Sequence, residues 1–186
     1  MTVKEIIRDA LYLLGRVDVA EKYESDYVTD NEGQRVIKTL LYCFNAVQDE
    51  LARAYFPLKK TEIAQSINGE IKVSALSEKP VRVLNVSGAN GTVDWRIFPD
   101  HISVKSGQVT VEYEYCPDKK SENEVVVFGD GAVGAVMVSY GMVAEYCLIN
   151  GEIENANAWE EKYRREIDNA LSSQKVKGRI PPRRWV

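Results

Sequence analysis

Three glycines in the second half of the sequence have the spacing of a nucleotide-binding loop. Gly129, Gly131 and Gly134 form a G-x-G-x-x-G pattern within VVVFGDGAVGAV, between an apolar run and the start of a helical pattern. In dinucleotide-binding enzymes such glycines let the backbone approach a pyrophosphate at a helix N-terminus. That site also needs a second parallel strand in a βαβ unit. Only helical sequence and a tail follow Gly151, so a nucleotide-binding enzyme is a weak alternative.

A structural role explains the same residues. Asp130 is placed to cap the helix that follows, and Gly129 and Gly131 allow a tight entry into it. Gly134 and Gly141 are seven residues apart, so they share one helix face. The spacing therefore predicts a seam where a neighbouring helix approaches closely.

The other candidate sites lack the spacing that their chemistry requires. An acidic loop with Glu24, Asp26, Asp30 and Glu32 suggests calcium, but an EF-hand register counted back from its glycine puts Val28 at the first ligand position. We therefore expect a solvated or interface loop there.

No pattern assembles a catalytic group. His101 is the only histidine and lies in the strand-rich part next to Pro99 and Asp100, so we expect a surface or turn residue and not a catalytic base. Ser139 lies in a helical pattern and lacks the glycine of a nucleophile elbow. The three cysteines, Cys43, Cys116 and Cys147, form no C-x-x-C pair. The sequence thus predicts no catalytic residue, no cofactor and no metal site.

The final residues, KVKGRIPPRRWV, carry a concentrated positive charge. From Lys175 onward there are five basic residues and no acid, whereas residues 1–174 hold 19 basic and 28 acidic residues, a net charge of −9. The two prolines favour an extended arm, and Arg and Trp often carry interface energy. The interface residues predicted in this arm are Arg179, Pro181, Pro182, Arg183, Arg184 and Trp185. A frayed terminus or a nucleic-acid contact remains an alternative.

The elements that position these residues follow from hydrophobic periodicity. A Thr2–Glu5 capping box starts a short helix that Gly15 ends, and a second box, Thr29–Glu32, starts a long helix that ends before Pro57. The stretch between them, Asp18 to Asp30, is predicted to be a loop with Tyr23 and Tyr27 as anchors. Later helices are predicted at about 131–148 and from about 152 onward. In the last helix, Glu160–Arg164 and Glu161–Arg165 are spaced for ion pairing.

From Leu58 to about Cys116 the apolar period changes to two, which predicts one antiparallel sheet of short strands. The predicted fold is therefore α+β: a four-helix α-helical bundle with an inserted antiparallel β-domain and an extended C-terminal arm. Its predicted parts are residues 1–57 (helical body), 58–124 (β-domain), 125–174 (helical body) and 175–186 (basic arm).

Composition places the chain in a broad class. Its 186 residues are 45% hydrophobic and 28% charged, as in a folded soluble protein. Charged residues interrupt the first 14 positions, so we expect no export signal. The apolar stretch Ala132–Ile149 contains Ser139, Gly141 and Glu145, so we expect a buried helix and not a membrane span.

Several segments together resemble the head-tail connector, or adaptor, proteins of tailed bacteriophages and prophages. These segments are ALYLLG, LLYCFNAVQDELARAYFP, the helical pair AVGAVMVSYGMVAEYCLINGEIENANAWEEKY, and RIPPRRWV. The inserted sheet is similar to the tail-accessory or tubular-adaptor branch of that class.

The resemblance implies a structural virion protein without enzymatic activity, made in the cytoplasm of the host bacterium. It implies a homo-oligomeric ring, typically of twelve copies, between the portal protein and a downstream tail or stopper protein. DNA would pass through the lumen without specific binding, and the arm would reach the portal or a neighbouring subunit. Trp95 and Phe98 would be core or tail-facing aromatics. The alternative is a small nucleic-acid-binding or regulatory module that uses the basic arm.

Overall fold

The chain has an α+β fold with five α-helices and two antiparallel sheets in its described part. The computed structural model describes residues 1–25, 27–28, 30–89, 91–105, 107–126, 128 and 132–176. The helices are α1 (Val3–Leu13), α2 (Val17–Glu24), α3 (Asn31–Glu50), α4 (Ala135–Ile149) and α5 (Ile153–Val176). The strands are β1 (Leu58–Gln65), β2 (Glu70–Lys72), β3 (Pro80–Gly88), β4 (Gly91–Thr92), β5 (Trp95–Ile97), β6 (His101–Val104) and β7 (Gln108–Tyr115).

The chain divides into two compact units. The helical unit is built from residues 1–48 and the described residues from 120 onward, and the β unit comprises residues 49–119. The second unit is therefore inserted in the chain of the first. Its bounds differ from the sequence-based 58–124, because residues 49–57 belong to the β unit and residues 120–124 belong to the helical unit.

The first helix begins and ends where the sequence predicts. The Thr2 hydroxyl accepts a hydrogen bond from the Glu5 N–H, and the Glu5 carboxylate accepts one from the Thr2 N–H at 2.7 Å. Gly15 follows the helix with φ +71°, a left-handed conformation that glycine adopts without a steric penalty. The capping box and the glycine stop are both confirmed.

The predicted acidic loop after α1 is wrong in its first half, where the structure has helix α2. Val19, Ala20 and Tyr23 are buried on one side of this short helix, which packs against α1. Tyr27 is 74% exposed and so does not act as an anchor within the chain. Tertiary packing stabilises α2, since eight residues are too few for a stable isolated helix.

The start of α3 is also different from the prediction. Asp30, directly before the helix, accepts a hydrogen bond from the Gly33 N–H at 2.6 Å, while Glu32 pairs with Arg16 at 2.9 Å. Asp30 thus provides a capping oxygen for the Gly33 N–H, and Glu32 makes an ion pair with Arg16. Thr29 itself lies outside the described residues. The helix continues into a π-helical turn, Leu51–Tyr55, before Pro57.

A returning segment covers the N-terminus of α1. The Val3 and Lys4 N–H groups donate to the carbonyls of Glu124 and Glu122 at 3.0 and 2.8 Å. The Glu122 carboxylate accepts a 2.7 Å hydrogen bond from the Tyr23 hydroxyl on α2. Residues 120–126 therefore satisfy backbone donors that a helix start leaves open and hold α1 and α2 in place.

The inserted unit has two sheets where the sequence predicted one. One sheet has the order β1-β7-β3-β4 and the other β2-β6-β5, and every pairing is antiparallel. Alternation along a strand identifies its buried face but not its partner, which explains the difference. One apolar cluster includes residues from both sheets: Ile71, Val86, Ile102, Val104, Val111 and Tyr113.

The last two helices form a hairpin. α4 begins at Ala135, after Gly134 as its N-cap, and no side chain caps it. Asp130 is therefore not the cap that the sequence predicted. α4 packs against α1 and α5, and Gly151, with φ +79°, turns the chain between α4 and α5. Both predicted ion pairs on α5 are present, Glu160–Arg164 at 2.7 Å and Glu161–Arg165 at 3.0 Å.

Candidate functional site

The helical unit carries a groove along the outer side of α3. It has a volume of about 560 Å³. Its lining includes Asn31, Gln34, Arg35, Lys38, Tyr42 and Ile149. Residues 31, 35, 38 and 42 recur at helical spacing, so the groove follows one exposed ridge of α3. The α3 groove, as we call it, combines positive charge with apolar surface.

The positive charges of this groove have no acidic partner among the residues that the structure describes. Arg35 and Lys38 are exposed, and neither forms an ion pair with any residue that the structure describes. Nearby, Arg16 pairs with Glu32 and Lys22 lies 3.9 Å from Asp30, so other basic groups of this region have acidic partners. The groove can therefore attract an acidic surface.

Apolar residues continue from the groove onto the turn between α4 and α5. Tyr42 is 65% exposed and Ile149 51%, and Leu148 and Ile153 are each more than half exposed. Glu152 and Glu154 are exposed in the same turn. The hairpin tip, defined as residues 148–154, is thus apolar and acidic, and its Ile149 also lines the basic groove.

The two glycines of the predicted seam have different environments. A Cβ on Gly141 would lie 3.0 Å from the Tyr163 ring on α5 and 3.1 Å from the Val47 methyl groups on α3. Three helices therefore meet closely at Gly141. A Cβ on Gly134 would meet no atom within 4 Å among the described residues, and Gly134 precedes α4. Gly134 is a helix cap and not part of the seam.

His101 is the first residue of β6, directly after the turn from β5. Its Nδ1 is 2.8 Å from an Asp100 carboxylate oxygen, its Nε2 is 3.8 Å from Glu70, and its ring stacks on Phe98 at 4.6 Å. The hydrogen bond with His101 is the main cause that lowers the pKa of Asp100. Asp100 can orient the ring, but no serine, threonine or cysteine of the described chain hydrogen-bonds it. The geometry therefore provides an oriented imidazole without an adjacent nucleophile.

Trp95 and Phe98, the two aromatic residues predicted to be in the core or to face the tail, have different environments. Trp95 packs partly buried against the apolar cluster of the β unit. Phe98 is 43% exposed and contacts His101. Trp95 is a core residue, and Phe98 is a surface one.

Ser139 and the three cysteines, which the sequence analysis considered as candidate sites, are buried or half-buried. Ser139 is buried on α4, and its hydroxyl has no hydrogen-bond partner among the described residues. Cys43 and Cys147 are buried, Cys116 is half-buried, and all three thiols are free. Burial raises the pKa of Cys43 to about 12, which keeps this thiol protonated at neutral pH. In the described ranges, no three acidic, cysteine or histidine side chains cluster as a metal site would require.

Two predicted features lie outside the described residues. Arg179, Pro181, Pro182, Arg183, Arg184 and Trp185 of the basic arm belong to this group, as do Gly129, Asp130 and Gly131 of the glycine motif. After that motif, α4 leads into α5 and not into a strand. None of the helices in the described ranges combines the length and apolar character that a bilayer crossing requires.

Sequence reasoning missed the α3 groove and the hairpin tip. Lys38 and Tyr42, four residues apart on the polar side of a predicted helix, were the only available signal. Their proximity to Ile149 depends on how α3 packs beside α4, which no local pattern contains. Comparison with models of known protein families and with curated proteins found no match for this chain.

Proposed function

We propose that this chain is a structural protein of the bacteriophage head-tail junction, a connector that forms a ring between the portal and the tail and extends the DNA channel. The observation that carries the proposal is the order of its units. Helices from both ends of the chain build one unit, and a β unit is inserted between them. The same order underlies the resemblance to connector proteins.

Within this proposal each part has a task. The helices α1, α3, α4 and α5 form a four-helix body of the ring subunit, and α2 supports α1. The inserted β unit is the platform that meets a tail or stopper protein. The extended basic arm, residues 175–186, binds the portal or a neighbouring subunit through Arg179, Arg183, Arg184 and Trp185.

The charge distribution supports a DNA conduit. Residues 1–174 have a net charge of −9, and a negative lumen repels the phosphate backbone, so DNA passes without binding. The role is structural and not enzymatic, and it places the protein in the virion after synthesis in the host cytoplasm.

The test uses the portal protein encoded in the same genome. The full chain is mixed with purified portal, binding is measured by co-sedimentation, and complexes are imaged by negative-stain microscopy. We expect a ring on the portal, typically of twelve copies. Deletion of residues 179–186 should leave the circular dichroism spectrum unchanged and abolish portal binding.

Two controls make the result decisive. Replacing Arg179, Arg183 and Arg184 with lysine retains charge but loses the planar guanidinium, so binding should weaken without disappearing. A truncated chain that binds portal with unchanged affinity contradicts the role of the arm. Retarded migration of duplex DNA by the full chain at physiological salt, without portal binding, would favour the nucleic-acid module instead.

A further inference from the structure

We propose that the α3 groove and the hairpin tip form one self-complementary surface through which two copies of this chain associate about a two-fold axis. The occupant of the groove is the hairpin tip of the second copy. The proposal concerns the free protein and does not depend on the connector function.

The first argument is charge complementarity. The groove presents Arg35 and Lys38, and the tip presents Glu152 and Glu154, all four exposed. Among the described residues no ion pair joins these basic and acidic groups, and Ile149 belongs to both surfaces. The basic and acidic groups therefore lie on two surfaces that share Ile149 and are not paired with each other. A second copy can supply the missing partner to each side.

The second argument is symmetry. In a two-fold contact each residue pair occurs twice, so a patch must present both halves of every interaction. Here the basic half lies on α3 and the acidic half lies on the tip, and the groove that Tyr42 lines also includes Ile149 of the tip. Rotation by a half turn brings the groove of each copy onto the tip of the other. In a ring, by contrast, complementary surfaces lie on different sides of the subunit.

The third argument is exposed apolar area. Tyr42, Leu148, Ile149 and Ile153 are each between 51% and 65% exposed. The last three belong to the hairpin tip, and Tyr42 lines the groove together with Ile149. Apolar side chains grouped in this way, with charged residues at the rim, are typical of association surfaces. The patch is small compared with a stable interface, so the dimer should be weak and dependent on concentration.

The experiment measures self-association of the full chain by light scattering after size-exclusion chromatography over a range of concentrations. The wild-type chain should shift from monomer to dimer as concentration rises, and added salt should oppose the shift because it screens the ion pairs. Lys38→Glu places an acid opposite the acidic tip, and Glu154→Lys places a base opposite the groove. Each change occurs twice in the dimer, so each should weaken dimerisation roughly tenfold or more.

Mixing the two variants provides the decisive comparison. In a mixed pair, the acidic groove of Lys38→Glu meets the basic tip of Glu154→Lys, and the unchanged groove meets the unchanged tip. Both contacts are again complementary, so the mixture should dimerise although neither variant does alone. This recovery also shows that both variants are folded.

Control substitutions are made at residues that belong to neither the groove nor the tip. Lys105→Glu and Asp168→Lys make the same charge changes at exposed positions of the β unit and of α5, and should leave dimerisation as in the wild type. A wild-type chain that stays monomeric at all concentrations overturns the proposal. So does a mixture that remains monomeric, or a mass above that of a dimer.

Discussion

Gly141 is the residue at which α3, α4 and α5 of the helical unit pack closely together. Tyr163 and Val47, which a Cβ would meet at 3.0–3.1 Å, are 2% and 1% exposed, so neither can move aside easily. We expect Gly141→Ser to lower the free energy of unfolding by about 1–3 kcal/mol, the usual cost of overpacking a core. Urea denaturation followed by circular dichroism measures the change.

The same substitution at Gly134 is the matched control. A Cβ at Gly134 would have open space around it, and the backbone there is extended, with φ −93°. Gly134 is also the N-cap of α4, where a serine hydroxyl can accept a hydrogen bond from a backbone N–H. Gly134→Ser should therefore leave stability unchanged or raise it by a few tenths of a kcal/mol. Equal destabilisation by both substitutions would contradict the assignment of the seam to Gly141 alone.

These two glycines also show what a spacing can predict. A separation of seven residues placed them on one helix face, and this was sufficient to identify Gly141 as a possible contact. It could not locate the start of α4, because Asp130 and Gly134 are both acceptable caps by residue type. The helix begins at Ala135, so Gly134 lies at its end and outside the packed face.

The turn at residues 121–124 depends on an ionised carboxylate. Glu124 accepts hydrogen bonds from the Ser121 N–H and hydroxyl and from Lys120, and the backbone bond is the main cause that lowers its pKa from 4.5 to about 2. Because the folded-state pKa is depressed, this stabilisation is present above pH 4.5 and is lost as the pH falls towards 2.

Glu124→Gln tests this dependence. The variant should be less stable than the wild type near neutral pH, since an amide accepts hydrogen bonds more weakly and carries no charge. The difference should shrink as the pH falls from about 4.5 to 2, where the wild-type carboxylate becomes protonated. Thermal melts of both proteins across that range measure it. A difference that does not change with pH would show that Glu124 acts through packing and not through its charge.

At the scale of elements, prediction succeeded where local signals were strong. The α1 capping box and the two ion pairs of α5 follow from residues close in sequence, and the apolar period of two indicates the strands. Helix α2 was missed because only Val19, Ala20 and Tyr23 mark its buried side, within an acidic stretch. The division of seven strands into two sheets was missed because strand partners are set by long-range packing.

At the scale of the whole molecule, the inserted β unit could be predicted from the sequence, but the α3 groove and the hairpin tip could not. A change of apolar period near Leu58 signals the change from helix to strand. The α3 groove and its proposed two-fold contact require Lys38 and Ile149 to lie close together, although more than one hundred residues separate them. Such a surface follows only from the assembled helices.

The two units should respond separately to substitutions in their cores. In the β unit the buried Tyr113 hydroxyl donates to Glu62 at 2.8 Å and accepts from the Glu78 N–H at 3.3 Å, while Ser77 also donates to Glu62. Burial raises the pKa of Glu62, but the hydrogen bonds from Ser77 and Tyr113 outweigh it and lower the pKa overall. The ionised carboxylate therefore stabilises this unit at neutral pH.

Tyr113→Phe removes the hydroxyl and leaves Glu62 with one donor fewer, which should cost about 2 kcal/mol because the bond is to a charged group. We expect faster amide hydrogen exchange in β1 and β7 and unchanged exchange in α4 and α5, since each unit is built on its own contacts. Gly141→Ser should give the reverse pattern. Tyr115→Phe, two residues along the same strand, alters a half-buried hydroxyl with no hydrogen bond to the described chain, and should change exchange little. If both core variants instead accelerate exchange equally throughout, the chain unfolds as one cooperative unit and the two-unit division has no energetic counterpart.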